Sequence, residues 1–465
     1  YPSDYENKTG FDRIRAQVRG KCTTDGGRAL LDGEGISASA GEIAHRLSLC
    51  SELQEILMLE SGFPLQEYTD IGPVARKIEV AGTFLDIEDM IALRAGLGAV
   101  NEITAFLAAK EEGRYPVLRG LAQGVESFPE ITGHIDTILD RYGKIKDSAS
   151  PELYTIRRTI RDREGQVSKR LQAILSKAQK DGYADADAAV SIRDGRAVIP
   201  VSAANKRKIN GFIHDESATG KTFYIEPVEI VEINNELKEL EYAERREVVR
   251  ILTAFTDRIR PDAPGIARAG EYLACMDMIR AKARWAAEND CVKPVLSEEG
   301  TLWLRSARHP LLRQTLAREG KQVVPLDLKL DRGRRMLVIS GPNAGGKSVC
   351  LKTVGLLQYM FQCGFPVPVL ENSEFPVFDG IFIDIGDEQS IDNDLSTYSS
   401  HLLNMKHMLA GAGSGSLVLI DESGSGTKPV IAGAIAEAIL ERFEETGTYG
   451  VITAHYSNNK YFVGS

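Results

Sequence analysis

Residues Met336 to Ser348 read MLVISGPNAGGKS, a short apolar run that passes directly into Gly341, four residues, and then Gly346-Lys347-Ser348. This is the spacing of a phosphate-binding loop between a strand and a helix. Its glycines let backbone N–H groups turn inward around an anion, Lys347 reaches the β and γ phosphates, and Ser348 offers a hydroxyl to a magnesium ion at the start of the helix. The flanks agree, since LVIS has strand character and Cys350 to Met360 carries apolar residues at helical spacing. The loop therefore predicts ATP as ligand, with Gly341, Pro342, Asn343, Ala344, Gly345, Gly346, Lys347, Ser348 and Val349 around its phosphates and Mg2+ beside Ser348.

Two later stretches extend the site. Leu417 to Asp421, LVLID, reads as a buried parallel strand that delivers Asp421 and Glu422 to the phosphate loop. Asp421 would hold the magnesium water shell, and Glu422 would polarise the attacking water, a positioning task because phosphoryl transfer leaves the protein little covalent work. A third strand, Gly450 to Ala454, ends at His455, which would sense or stabilise the γ phosphate. Between them, Phe382 to Met405 reads as a polar loop leading into a helix that starts near Ser396 and Thr397. Hydroxyls and unpaired N–H groups at a helix start form an anion site. This one lies too far along the chain to serve the first loop, so it either simply caps its own helix or closes on a nucleotide held by a second copy, with Asp387 and Gln389 near metal and water on its own side.

The preceding sequence is of a different kind. Residues 1–150 alternate helical patterns (Gly41 to Leu59, Leu85 to Lys110) with polar turns, and predict a helical core. From Pro151 to about residue 260, two amphipathic stretches carry near-heptad seams: Ile156, Ile160, Val167, Leu171, Ile174 and Ala178, then Ile230, Ile233, Leu237, Leu240, Val248, Leu252, Phe255 and Ile259. They predict an antiparallel coiled-coil arm. Between them, near 189–227, Asp194-Gly195 and Thr219-Gly220-Lys221 mark hairpin turns within strand-like sequence, predicting a small β clamp. Arg193, Arg196, Lys206, Arg207, Lys208 and Lys221 make it the best local basic cluster, a candidate nucleic-acid surface or a solvated face. Pro261 and Pro264 end the second arm helix, residues 261–299 return to the core, and the nucleotide domain occupies 300–465.

Composition bounds these readings. The 465 residues predict several domains. A hydrophobic content of 43% with 26% charged residues describes a globular chain. No uninterrupted apolar run suits a membrane span and the N-terminus lacks a signal-peptide pattern, so a cytoplasmic location is expected. The six cysteines form no C-x-x-C pair, which favours reduced structural thiols. A net charge of −10 argues against uniform adhesion to nucleic acid while leaving room for a local basic patch.

In their order along the chain, GPNAGGKS, DIGDEQSI with LSTYSSH, LIDESGSGT and TAHYSN resemble the ATPase of the MutS family, and Arg308-His309-Pro310 resembles the segment near its start. KRKINGFIHDESATGKTFYIEP, NNELKELEYAERRE and the opening YPSDYENKTGFDRIR are similar to the second bacterial branch, whose members lack the mismatch-reading domains. The resemblance covers nearly the whole chain. It implies a multidomain α and α/β protein: a helical core, a coiled-coil arm with a β clamp, and an ABC-type P-loop ATPase with a mainly parallel sheet. It also implies a homodimer with composite ATP sites that closes on nucleic-acid assemblies, either collided ribosomes and their rRNA, which the branch splits, or branched DNA, whose recombination it restrains.

The family's C-terminal Smr nuclease-like domain and the dimerising end of its ATPase are expected to lie outside this stretch, so nuclease activity is not assigned to these residues. One departure is local. After Thr427 the family commonly carries two acids flanking a proline, whereas Lys428 to Gly433 reads KPVIAG, which puts in question contacts carried from that loop to a partner. A transport ATPase would show an L-S-G-G-Q type loop where this chain has LSTYSS. A chromosome-organising ATPase would place its coil between the phosphate loop and the acidic strand, and a non-hydrolysing scaffold would have lost Lys347 or Glu422.

Overall fold

The computed structural model describes residues 2–341, 346–385, 394–421 and 429–454, and only the backbone of 394–400, 402, 429–436 and 454. The chain divides into two compact units, one of residues 73–98 and 128–267 and one of 1–72, 99–127 and 268–465.

In the first unit, Ser150 starts a 30-residue helix, Pro151–Lys180, by accepting from the N–H of Leu153, and Pro151 sits where no N–H is needed. A second long helix, Val228–Ile259, runs beside it in the opposite sense. The pairing is written in its polar contacts: Ser150 to Glu247 (2.6 Å), Arg157 to Glu244 (2.8 Å), Arg163 to Glu236 (3.0 Å) and Arg170 to the Glu229 carbonyl (3.3 Å). The buried row of the first helix is Leu153, Ile156, Val167, Leu171, Leu175 and Ala178. Leu175 is buried, whereas Ile174, which the seam places in this row, is only partly buried.

Between the helices lie β1 (Ser191–Arg193), β2 (Arg196–Ser202), β3 (Gly211–Glu216) and β4 (Thr222–Pro227), in the antiparallel order β1–β2–β4–β3. Asp194 (φ 50°) and Gly195 (φ 72°) make the first turn, both in the left-handed region that a tight hairpin requires. The sheet shares a core with the helix ends, in which Ile199, Val201 and Ile225 meet Leu171, Leu175, Ile230 and Ile233. The second helix gives way to a short 3-10 turn, Arg260–Asp262, and Pro264 then falls in the first turn of the next helix, Ala263–Glu288. That proline therefore opens a helix as well as following one.

Among its described residues the second unit carries helices such as Phe11–Arg19 and Ala40–Leu59 and eight strands: β5 (Val295–Leu296), β6 (Leu302–Ala307), β7 (Leu326–Leu330), β8 (Met336–Ser340), β9 (Glu374–Phe375), β10 (Gly380–Asp384), β11 (Ser416–Ile420) and β12 (Tyr449–Ala454). Four form a mixed sheet ordered β5–β9–β6–β7. The other four form a sheet ordered β10–β11–β12–β8 in which every neighbouring pair is parallel. Phe382 to Asp384, read from sequence as the start of a polar loop, are the last residues of β10, and the following helix is Asp394–Gly411, beginning two residues before Ser396. The chain is thus mixed helical and α/β, with one wholly parallel sheet.

Among the described helices, Ile87–Ala108 alone is long and apolar enough to cross a membrane, with a mean hydropathy of 1.3 over its best window. Met90, Leu93, Leu97, Val100, Ile103 and Leu107 on this helix are buried inside the protein. A buried core helix passes the same test of length and composition.

Candidate functional site

The parallel sheet decides which residues can meet. Register pairs Asp384 with Ile420, Ile420 with Ile452, and Ala454 with Ser340, so the carboxyl ends of β10, β11, β12 and β8 form one rim. Ligands of open parallel sheets bind at such rims. Gly341 follows β8, and Gly346, at φ 80°, caps the helix Lys347–Gln362. Lys347 is buried, and its ammonium donates to the Gly341 carbonyl across 2.7 Å, tying the two ends of the loop together. Ser348 is half-buried and Val349 exposed on the same first turn. The helix sits close on the sheet because residue 355 is glycine: a Cβ there would stand 2.8 Å from Leu419 Cδ1. Burial pushes the Cys350 thiol up to about 11, so it stays protonated at neutral pH.

Asp421 directly follows β11 and is buried. Its N–H donates to the Asp384 carbonyl (2.8 Å) and its Oδ1 accepts from Thr453 Oγ1 (2.5 Å). Its second oxygen and the Ser348 hydroxyl are hard oxygen donors, and no group of three or more His, Cys, Asp or Glu that could hold a metal occurs among the described residues. That donor set fits Mg2+, which is held by one or two carboxylates together with phosphates and waters, better than a metal enclosed by protein ligands.

Pro342, Asn343, Ala344, Gly345, Asp387, Gln389, Glu422 and His455 lie outside the described residues. Ser396 and Thr397 fall on the first turn of Asp394–Gly411, where backbone N–H groups lack helical partners, and only their backbone is described. His309 caps the helix Pro310–Arg318 by accepting from the Leu312 N–H at its Nδ1 (3.4 Å). Burial, with Lys352 and Arg13 nearby, lowers its pKa to about 4, so it is neutral at physiological pH.

Sequence reading missed Asp384, His401, Asn404 and Thr453. Asp384 ends its strand as Asp421 follows its own, an acid after an apolar run (IFID beside LVLID), and that repetition was the available signal.

The basic residues near the β1–β4 sheet divide in two. Arg196 is occupied: it donates to both oxygens of buried Glu226 (2.8 and 3.0 Å) and to Asn235 Oδ1 (2.6 Å). Arg193 lies 4.2 Å from the centre of the Tyr224 ring and 3.1 Å from Asp215. Lys206, Arg207, Lys208 and Lys221 gather where the turn after β2 meets the start of β4, bridged by the Ala203 N–H on the Lys221 carbonyl (2.9 Å). Lys206 rests 4.4 Å over Phe223, while Arg207, Lys208 and Lys221 form no ion pair among the described residues, and Lys208 and Lys221 are exposed.

A model of MutS domain V matches residues 337–461, from β8 through β12 and beyond. Together with the parallel sheet and the ends of the phosphate loop, this defines a protein carrying an ATPase domain of the MutS type. The chain is 35% identical over 452 residues, 97% of its length, to the protein named Endonuclease MutS2 of Geobacillus sp. (strain WCH70). It is 37% identical over 97% of its length to the protein of the same name from Thermomicrobium roseum, and 39% over 89% to that from Pelotomaculum thermopropionicum. It spans 57%, 57% and 51% of those relatives. Residues 337–461 thus match MutS domain V, and the chain is similar along nearly its whole length to these MutS2 proteins, of which it spans little more than half.

Proposed function

We propose that this chain is the ATP-hydrolysing clamp of a MutS-type homodimer. Lys347 contacts the β and γ phosphates, Ser348, Asp421 and Gln389 hold the metal and its waters, Glu422 polarises the attacking water, and His455 meets the γ phosphate. Mg2+, when bound, neutralises charge on the β and γ oxygens. Ser396 and Thr397 complete the site of the second copy from a helix start. Residues 1–150 serve as core, 151–260 as arm with the clamp near 189–227, 261–299 as the return, and 300–465 as the motor. The single observation that carries this reading is the shared rim, with Lys347 tied to Gly341 and Asp421 anchored by Thr453.

The partner is a nucleic-acid assembly met by Lys206, Arg207, Lys208 and Lys221. Arg193 and Arg196 instead serve the sheet's own carboxylates. Collided ribosomes and branched DNA both offer phosphates and give similar salt dependence, so salt does not separate them. ATP turnover of the complete protein, titrated with collided ribosomes and with four-way DNA junctions at matched ionic strength, does. Stimulation by ribosomes alone defines a translation-rescue motor and by junctions alone a recombination regulator; no stimulation by either removes both partners.

A further inference from the structure

Asp384 is 2% exposed at the end of β10, and none of the roles above uses it. Its Oδ2 lies 2.7 Å from His401 Nδ1 and its Oδ1 accepts from Asn404 Nδ2 at 2.9 Å. His401 and Asn404 are three residues apart on Asp394–Gly411 and so share one face of that helix. The peptide carbonyl of the same aspartate accepts the N–H of Asp421, whose carboxylate is held by Thr453 on β12. One residue is thus bonded through its side chain to the helix that bears Ser396 and Thr397, and through its main chain to the residue assigned to the metal.

Among the described residues, the same helix also makes apolar contacts. Met405 and Met408 pack into a core with Val418, Ile420, Leu440, Phe443 and Ile452. Methionine side chains are unbranched and adapt to small displacements, so this contact holds the helix against the sheet without fixing its position along its own axis. The two directional bonds to Asp384 are sensitive to that position. Sliding of the helix along its axis would strain both bonds, and a slip of a whole turn, about 5.4 Å, would break them.

We infer that Asp384, with His401 and Asn404, is a positioning joint: it sets the helix that reaches a second copy's nucleotide in register with Asp421, so that each site's metal carboxylate is aligned only when that helix is seated. The inference rests on the nucleotide reading above.

The test uses the full-length protein with Asp384→Asn, and Asn404→Ala as a milder variant that removes one half-exposed partner should the first fail to fold. Four quantities are measured: binding of a fluorescent ATP analogue, ATP-induced self-association, kcat and KM for ATP, and the Mg2+ concentration for half-maximal turnover. The expected result is analogue binding and KM within about threefold of the unmodified protein, with half-saturating Mg2+ raised severalfold and ATP-induced association weakened. In the same variant kcat falls roughly tenfold, which corresponds to about 1.4 kcal/mol at the transition state. Asn404→Ala should move in the same direction by less. A folded variant with a lowered melting temperature but unchanged kcat, Mg2+ dependence and association would overturn the joint and leave Asp384 a structural residue. Lys347→Ala is the separate control: if it binds and hydrolyses ATP normally, the nucleotide reading itself fails, whatever the joint variants do.

Discussion

Replacing Glu226 by Gln preserves the size of a side chain that is 1% exposed while halving its capacity to accept. The carboxylate accepts from Arg196 on both oxygens, from Asn234 on Oε1 (2.7 Å), and meets His214 Nε2 at Oε2 (2.5 Å). A glutamine keeps one of these oxygens. Whichever way its amide turns, one Arg196 bond and one further hydrogen bond disappear, and an NH2 group is set against the Arg196 donors. Hydrogen bonds to charged groups contribute about 1.5–3 kcal/mol each. Arg196 and His214 keep 23% and 21% of their side chains in water, which softens the loss. The expected cost to the β1–β4 sheet is therefore about 2–4 kcal/mol, toward the lower end of two full bonds.

The effect carries a pH signature. Burial opposes ionisation of Glu226, but the bonds from Asn234, His214 and Arg196 and the Arg196 charge outweigh it and hold its pKa below the ordinary 4.5. A depressed carboxylate stabilises the fold above its unfolded pKa, and that contribution is lost as pH falls through the folded value. Wild type and Glu226→Gln should therefore differ above the unfolded carboxylate pKa and converge as pH falls through the folded value. Urea unfolding combined with hydrogen exchange at the β2 and β4 amides measures both. A difference under about 0.5 kcal/mol at pH 7, or one that persists in acid, would refute the assignment of Glu226 as the charge centre of this sheet.

Four further outcomes are expected. Lys347→Ala should weaken ATP binding by about 10- to 100-fold, the value of one charge-assisted contact, as read by equilibrium titration. Thr453→Val removes the 2.5 Å bond that anchors Asp421 and should raise the Mg2+ requirement for turnover, measured by metal titration. Gly211→Ala would place a Cβ 2.2 Å from the Glu226 carbonyl oxygen and should cost about 1–3 kcal/mol by prising β3 from β4, visible as a lowered melting temperature. Arg207→Glu with Lys208→Glu should weaken nucleic-acid binding and flatten its dependence on salt by about one unit of slope for each phosphate no longer neutralised; an unchanged slope would mark both as solvated surface.

Much of this architecture was legible because it is local. A strand, a glycine-bounded loop and a helix lie close together in the chain and can be read from spacing, and Gly346 adopts the left-handed φ that few other residues would accept. The long helices of the first unit were legible for the same reason, since their apolar residues repeat within a few turns and Asp194-Gly195 specifies its own hairpin. Phe382 to Asp384 was misread as loop because the five-residue strand β10 runs straight into polar sequence, and too short a run carries too little periodicity to declare itself.

Sequence alone thus determined the phosphate-loop spacing, the helix and hairpin segments, and the residue types able to bind phosphate and metal. Tertiary structure alone decided the order β10–β11–β12–β8, and with it the rim that sets Asp421 beside Asp384 and in reach of Thr453. It also decided that Arg196 is spent on Glu226, 30 residues away, while Lys208 and Lys221 remain exposed. The physical reason is range: backbone preference and periodicity act over one or two turns, whereas strand order and charge pairing depend on which distant surfaces bury one another, and no local pattern encodes that.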